Sequence, residues 1–368
     1  MNGRGFPFIL HRSFIVHRSF FLGNMSLSTK VGIIGGGWPG LAHARGYREA
    51  GGFTIVAVAD LIPDRREKLA ADSLKAKQYD EARQVILDPE VEAVSICLPT
   101  ALHLATAVAA LKAGKHVMLE TPPGISVKES KQLAAAAARS RKVLTYGFQR
   151  RFGGAELAAK QAIEKGYAGD ALHVRATWMR TRGVPIGTGW YTDKAQAGGG
   201  ALMDLGSHML DVGWHLLGEP KPVSVYAVTR QQFAGLSPKP ESHTVEDSAF
   251  ALVRFEGGKS LELAVSWAIN QAPAQNGTSC RVHGSSGAVE VYTPTGPVLY
   301  RNFGPKGEAK ATPLRQPKVA GHAAMLRQFR ECILGKAAVG MGPDQGIVLM
   351  QMIEGMYRSA ETGKAAAL

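Results

Sequence analysis

Cysteine is scarce. The chain of 368 residues has three, Cys97, Cys280 and Cys332, far apart and odd in number. They make neither a disulfide framework nor a zinc-ligand spacing, which suits a reducing, cytoplasmic setting. No apolar run reaches the roughly eighteen residues that a membrane-spanning helix needs, so no membrane partner is expected. Acidic residues are the minority, 30 against 43 lysines and arginines, for a net charge of +13. Residues 128–182 carry much of the excess, with twelve basic side chains and four acidic ones. These are spread over several predicted elements without regular aromatic interleaving. The pattern argues against nucleic acid and for a solvated surface that could also steer an anionic ligand. Internal repeats and long low-complexity linkers are absent too, and the length exceeds what one core usually carries, so two domains are expected.

Residues 1–24 stand apart from the rest. They have no acidic residue, repeat His-Arg-Ser-Phe at 11–14 and 17–20, and hold five of the thirteen phenylalanines. His11, Arg12, His17 and Arg18 interrupt any apolar core of a secretory signal. A transit peptide fits the arginines. The preferred reading is an over-called start, with Met25 as initiator, or a disordered extension.

What is present is organised around Val31-Gly-Ile-Ile-Gly-Gly-Gly-Trp-Pro-Gly40. A short apolar strand runs into a glycine turn and a helix start, with Gly35, Gly37 and Gly40 at G-x-G-x-x-G spacing. The first glycine permits the tight turn, the second lets backbone approach a pyrophosphate, and the third lets helix and strand pack closely. Pro39 suits a first helical turn, and Trp38 sits within the same cradle. A second apolar strand, 53–59, ends at Asp60, where a carboxylate can accept ribose hydroxyls. From residue 29 to 148 strands and helices alternate, which predicts an α/β, doubly wound parallel sheet. Its strand ends, Asp60, Leu98-Pro99-Thr100 and Glu120-Thr121-Pro122, should face the ligand. Residues 149–368 change pattern. Helices are expected at 154–165, 320–334 and 343–361, alternating strands at 171–179, 222–229, 248–256, 259–268, 279–283, 287–292 and 297–301, and a long glycine-rich loop at 183–200.

A helix from about 201 would carry Asp204, His208, Asp211 and His215 on one polar stripe, opposite an apolar one. At about 1.5 Å rise per residue the stripe is too long for all four to meet one metal ion, so no metal is assigned. The pair Asp204/His208 reads instead as a carboxylate orienting an imidazole for acid–base work.

Together with Pro99-Thr-x-x-His103, Gly114-Lys-His-Val117, Glu120-x-Pro122, Gln149-Arg-Arg151, Gly199-Gly-x-Leu-x-Asp-x-Gly-x-His-x-x-Asp211 and Tyr357-Arg-Ser-Ala-Glu-Thr-Gly363, the glycine motif resembles the Gfo/Idh/MocA-type oxidoreductases. The likeness extends over about residues 30–363. It implies an N-terminal Rossmann domain, then an α/β domain with a large, mostly antiparallel open sheet that serves homodimer or homotetramer formation. It also implies a nicotinamide held between the two. By position, His208 and Asp204 match the catalytic histidine and aspartate and Glu120 the glutamate near the nicotinamide ribose. Thr100, His103 and Gln149 fall at cofactor-side positions. The family usually reads Glu-Lys-Pro; here the lysine position is Thr121, whose hydroxyl can relay a proton but carries no charge. Arg150 and Tyr191 are candidates to compensate at the substrate. The cofactor expected is NAD rather than NADP, because Asp60 would meet a 2′-phosphate and Leu61 stands where NADP-using relatives often place arginine. Arg65 and Arg66 remain able to swing in. The leading function is NAD(P)-dependent oxidation or reduction of a sugar, polyol or sugar derivative. The alternatives are a glycosidase or lyase that oxidises transiently with bound NAD, and a non-catalytic sensor.

Overall fold

The computed structural model describes residues 28–71, 73, 76–185, 189–237 and 240–368. The extension at 1–24 and positions 186–188 of the glycine-rich loop lie outside them. The first half folds as β1 (Thr29–Ile34), α1 (Trp38–Ala50), β2 (Phe53–Ala59), α2 (Pro63–Ala71), β3 (Lys77–Tyr79), α3 (Ala82–Leu87), β4 (Ala93–Ile96), α4 (His103–Lys112), β5 (His116–Leu119), α5 (Val127–Ser140) and β6 (Leu144–Tyr146). The six strands are parallel in the order β3-β2-β1-β4-β5-β6. This is the doubly wound Rossmann order, whose direction reverses between β1 and β4 and opens a crevice at their carboxyl ends. The central strands are buried on both faces, as helix-covered parallel strands must be. Local signals set the helix ends: Ser126 Oγ accepts the Glu129 N–H at the start of α5, and Gly114 closes the turn after α4 with φ 78°.

The second half comprises α6 (Gly154–Glu164), β7 (Ala171–Met179), α7 (Lys194–Ala197), a π-helical turn (Leu202–Gly206) that runs into α8 (Ser207–Leu216), β8 (Pro222–Arg230), β9 (Ser248–Phe255), β10 (Ser260–Ser266), β11 (Gly277–Gly284), β12 (Gly287–Glu290), β13 (Val298–Arg301), β14 (Lys310–Pro313), α9 (Gly321–Ile333), α10 (Pro343–Thr362) and β15 (Ala366–Ala367). Nine strands form one sheet, β14-β13-β12-β11-β7-β10-β9-β8-β15, antiparallel except where β10 runs parallel to β7. Strand β9 alternates: Ala249, Ala251, Val253 and Phe255 point into the core while Phe250 and Leu252 point out. Helix α8 packs on β7 and α10 on β8, so the helices cover one face. The C-terminal helices also return to the first unit, α9 against α1 and α10 against α5.

The alternation of elements was legible in advance, but β3, β14 and β15 were not. Each is a short edge strand, too brief to display a two-residue period, and β3 and β14 are largely polar or exposed. The helix expected from 201 begins instead with the π turn, a form frequent at functional sites.

Candidate functional site

The glycine turn fits a dinucleotide. Gly35 has φ 101°, and a Cβ there would lie 2.2 Å from the Cys97 carbonyl oxygen. A Cβ on Gly40 would lie 1.9 Å from the Gly35 oxygen, so both positions exclude any side chain. Gly37 differs: its Cβ would meet nothing nearer than Pro39 Cδ at 3.7 Å, leaving the open side that a phosphate needs. Helix α1 starts there with no side-chain cap, so its first N–H groups are available to an anion. Trp38 is largely exposed beside it. Asp60 sits at the end of β2, its Oδ2 accepting the Gly36 N–H (2.6 Å) and its Oδ1 the Ile62 N–H (2.8 Å). Arg66 is tied down beside this corner. Its guanidinium bonds the Asp60 main-chain oxygen (3.0 Å) and Asp80 (2.6 Å).

At the neighbouring strand ends, Leu98 and Pro99 are partly exposed and Thr100 is buried. His103 is enclosed at the same sheet edge. Its ring nitrogens lie 2.9 Å from the Pro122 and Leu98 carbonyl oxygens, so it ties the two strand-end loops together and is itself 1% exposed. Glu120 follows β5. Its Oε2 accepts the Thr121 N–H (3.1 Å), and its Oε1 lies 2.7 Å from His43 Nε2. His43 Nδ1 continues to Ser95 Oγ (2.9 Å), which meets the Tyr47 hydroxyl (2.7 Å). Burial opposes the charge on both partners. It is outweighed at His43 by the Cys97 sulfur and Glu120, which raise the imidazole, and at Glu120 by His43, which lowers the carboxyl. The result is a buried ion pair at the base of the cleft. His322, at the start of α9, brings a third potential metal ligand within 4.8 Å of these two. The direct His43–Glu120 contact, with Ser95 on the other nitrogen, accounts for two of the three as an ion pair.

The second half supplies the other wall. His208 lies in the first turn of α8, with Nε2 3.2 Å from Thr121 Oγ1 and Nδ1 buried without a partner among the described residues. Phe148 and Trp178 flank the ring at 5.7 and 6.4 Å between centroids. Burial, then the Arg150 charge, lower the imidazole to about 4, so it is neutral near pH 7. Arg150 stacks on Trp178 (4.1 Å to the centroid) and is partly balanced by Glu156 at 3.8 Å. Gln149, one residue earlier, has its Oε1 buried without a partner among the described residues. Tyr191 stacks on Trp190, and burial, with Asp204 and Glu120 nearby, raises its phenol.

One expected contact is corrected. Among the described residues Asp204 does not bond His208; its Oδ2 accepts the Trp267 indole N–H at 2.8 Å. Trp267 is fully buried and its indole can only donate, so it claims the nearest acceptor. Burial raises the Asp204 carboxyl, opposed by Trp267 and Arg180. The four-residue polar stripe also divides. Asp211 is buried against Arg151 (2.6 Å), and His215 pairs with Glu219 (2.9 Å), away from Thr121. Residues the sequence reading missed are His43, His322, Trp178, Arg180 and Trp267. Of these only His43, three residues past Gly40 on the inner side of α1, had a local signal.

Glycine cradle, strand-end carboxylate and orphaned polar atoms together define an oxidoreductase built on an NAD-binding Rossmann domain. Residues 29–148 match the family described as "Oxidoreductase family, NAD-binding Rossmann fold", and residues 157–290 match the "GFO/IDH/MocA C-terminal domain". The chain belongs to the Gfo/Idh/MocA family of oxidoreductases, which act on CH–OH groups of sugars and polyols. Among its relatives is the D-glucoside 3-dehydrogenase of Escherichia coli (strain K12), 29% identical over 354 residues, which span 92% of this chain and 97% of that protein. A putative UDP-kanosamine synthase oxidoreductase subunit of Amycolatopsis mediterranei (strain S699) is 32% identical over 276 residues, 72% of this chain and 75% of that one. Among solved structures, GenD2 from gentamicin A biosynthesis in complex with NAD superposes with a TM-score of 0.77 at 26% identity, over 98% of this chain and 99% of that one. No helix among the described residues is long and apolar enough to cross a membrane.

Proposed function

We propose that the chain oxidises or reduces one hydroxyl carbon of a sugar, polyol or sugar derivative, with His208 as the acid–base residue. The observation that carries this reading is the 3.2 Å contact between His208 Nε2 and Thr121 Oγ1. It places a neutral imidazole and a hydroxyl side by side at the carboxyl end of β5, where the sheet opens. The nicotinamide, when bound, supplies the hydride chemistry. His208 takes or returns the hydroxyl proton, directly or through Thr121, and Glu120 nearby favours the imidazolium that forms. Asp204, fixed by Trp267, orients the sugar; Arg150 and Tyr191 complete the wall. The names of the relatives, a D-glucoside dehydrogenase among them, support a carbohydrate substrate.

NAD is preferred over NADP on this reading, since Asp60 stands at the end of β2 and Arg66 is held by Asp80. The open face of the second sheet supports a homo-oligomer. Leu172, Val223, Tyr226, Phe250 and Leu252 are all exposed there, and Tyr226 pairs with Leu252 across β8 and β9. The uncharged Thr121 favours one second reading, glycoside cleavage with only transient oxidation by retained NAD. The test is a panel of free sugars, polyols and glycosides with NAD. Steady NADH accumulation supports the dehydrogenase, cleavage without net NADH supports the second reading, and tight NAD binding without turnover of any member contradicts both.

A further inference from the structure

The motif at Tyr357 and the paired glycines at Gly199 and Gly200 have no part in the chemistry above, yet they meet at one buried carboxylate. Glu246, just before β9, is 9% exposed and accepts four hydrogen bonds from three donors. The Gly200 N–H reaches both its oxygens (2.9 and 3.0 Å), the Leu202 N–H reaches Oε1 (2.9 Å), and the Tyr357 hydroxyl from α10 donates to Oε1 (3.0 Å). The Glu246 carbonyl takes the Ala201 N–H as well (3.1 Å). A Cβ on Gly200 would lie 1.8 Å from that carbonyl, and one on Gly199 would lie 1.9 Å from the Tyr357 hydroxyl. Only glycine lets the chain come this close. The neighbouring Asp247 carbonyl accepts the Trp267 main-chain N–H (2.8 Å), and the Trp267 indole holds Asp204.

We infer that Glu246 and Tyr357 are positioning residues, which fix the π turn carrying Asp204 and thereby set His208 against Thr121. Two independent supports converge on that turn. Glu246 satisfies its first N–H groups, which would otherwise be orphaned in the interior, and the next residue seats the tryptophan that holds Asp204. A carboxylate at a helix start also complements the partial positive charge there. Neither residue touches His208, so the effect is transmitted by the turn. The consequence for turnover rests on the proposed role of His208; the consequence for geometry does not.

The test uses the full chain and the variants Glu246→Gln and Tyr357→Phe, with Leu349→Ala in α10 as a control that destabilises through the core alone. The imidazole resonance of His208, assigned by its loss in His208→Asn, and the indole N–H resonance of Trp267 are compared without any sugar present. With the best sugar of the panel, kcat and KM are measured, and NAD affinity by calorimetry. Both resonances should move in Glu246→Gln and, less, in Tyr357→Phe. The kcat should fall about tenfold to a hundredfold, the range for a small misplacement of a reacting group, while NAD affinity stays within about twofold. If Glu246→Gln does not fold, Tyr357→Phe decides by the same criteria. Unmoved resonances, or shifts equal to those of Leu349→Ala, would overturn the assignment even if no sugar is turned over.

Discussion

Replacing Arg150 by Gln should make His208 easier to protonate, by an amount the geometry bounds. The Arg150 guanidinium carbon is 4.1 Å from the Trp178 centroid, and the Trp178 and His208 centroids are 6.4 Å apart. The charge therefore lies within about 10 Å of the imidazole, where an effective dielectric of 20 gives about 1.7 kcal/mol, slightly more than one pKa unit. Glu156, 3.8 Å from the guanidinium, offsets part of this. Burial is the larger cause of the depression to about 4 and is unchanged by the substitution. The acid limb of the pH dependence of kcat/KM should thus move upward by about half a unit to one unit. Arg150→Lys keeps the charge but loses the planar stack on Trp178, so it should leave the limb in place and change KM instead. Rapid assays after a pH jump, paired with NMR titration of the His208 ring, read both variants. A limb that stays fixed in Arg150→Gln, or moves equally in both, would refute the electrostatic reasoning.

Three further outcomes follow from the same geometry. Thr121→Lys should place an ammonium beside His208 and add a second, basic limb to the pH–rate profile; a profile of unchanged shape would mean that another group already fills that role. NADPH should bind more weakly than NADH by calorimetry, with a repulsion of up to about 4 kcal/mol between Asp60 and a 2′-phosphate before solvent and rearrangement reduce it. Asp60→Ala should narrow the gap, and equal wild-type affinities would count against the preference. Thermal stability should peak near neutrality. His208, His322 and His116 are each lowered to about 4 in the fold. The unfolded chain then binds more protons as pH falls from about 6.5 to 4; up to about 3 kcal/mol is lost for buried His208, and less for His322 and His116, whose partial exposure lets solvent screen the effect. On the alkaline side His43, raised in the fold, loses its contribution as pH climbs above about 6.5. A melting temperature that is flat from pH 7 down to about 4 would contradict this.

The glycine turn of the candidate site was legible because it is local. Three glycines, a strand and a carboxylate at fixed spacing report one turn and one helix start, and the structure returns them with φ 101° at Gly35 and no room beside Gly40. The candidate substrate side was legible only as far as one helix reaches. Asp204 and His208 could be paired from spacing, but spacing could not tell that Trp267, 63 residues further on, would take the carboxylate. Nor could it separate Asp211 and His215, which face Arg151 and Glu219 across a different packing surface. His322 and Glu246 reach the site from far along the chain, and such contacts are fixed by the packing of α9 and of the second sheet rather than by any local pattern.

The central claim is that His208 exchanges the proton of the hydroxyl on the reacting carbon. Its most direct measurement is turnover of the best sugar by His208→Asn, with NAD binding followed in parallel by calorimetry. The account predicts NAD affinity close to wild type and a fall in kcat of about a hundredfold or more, the usual contribution of a general acid–base group. A variant that turns over within a few-fold of wild type would contradict it.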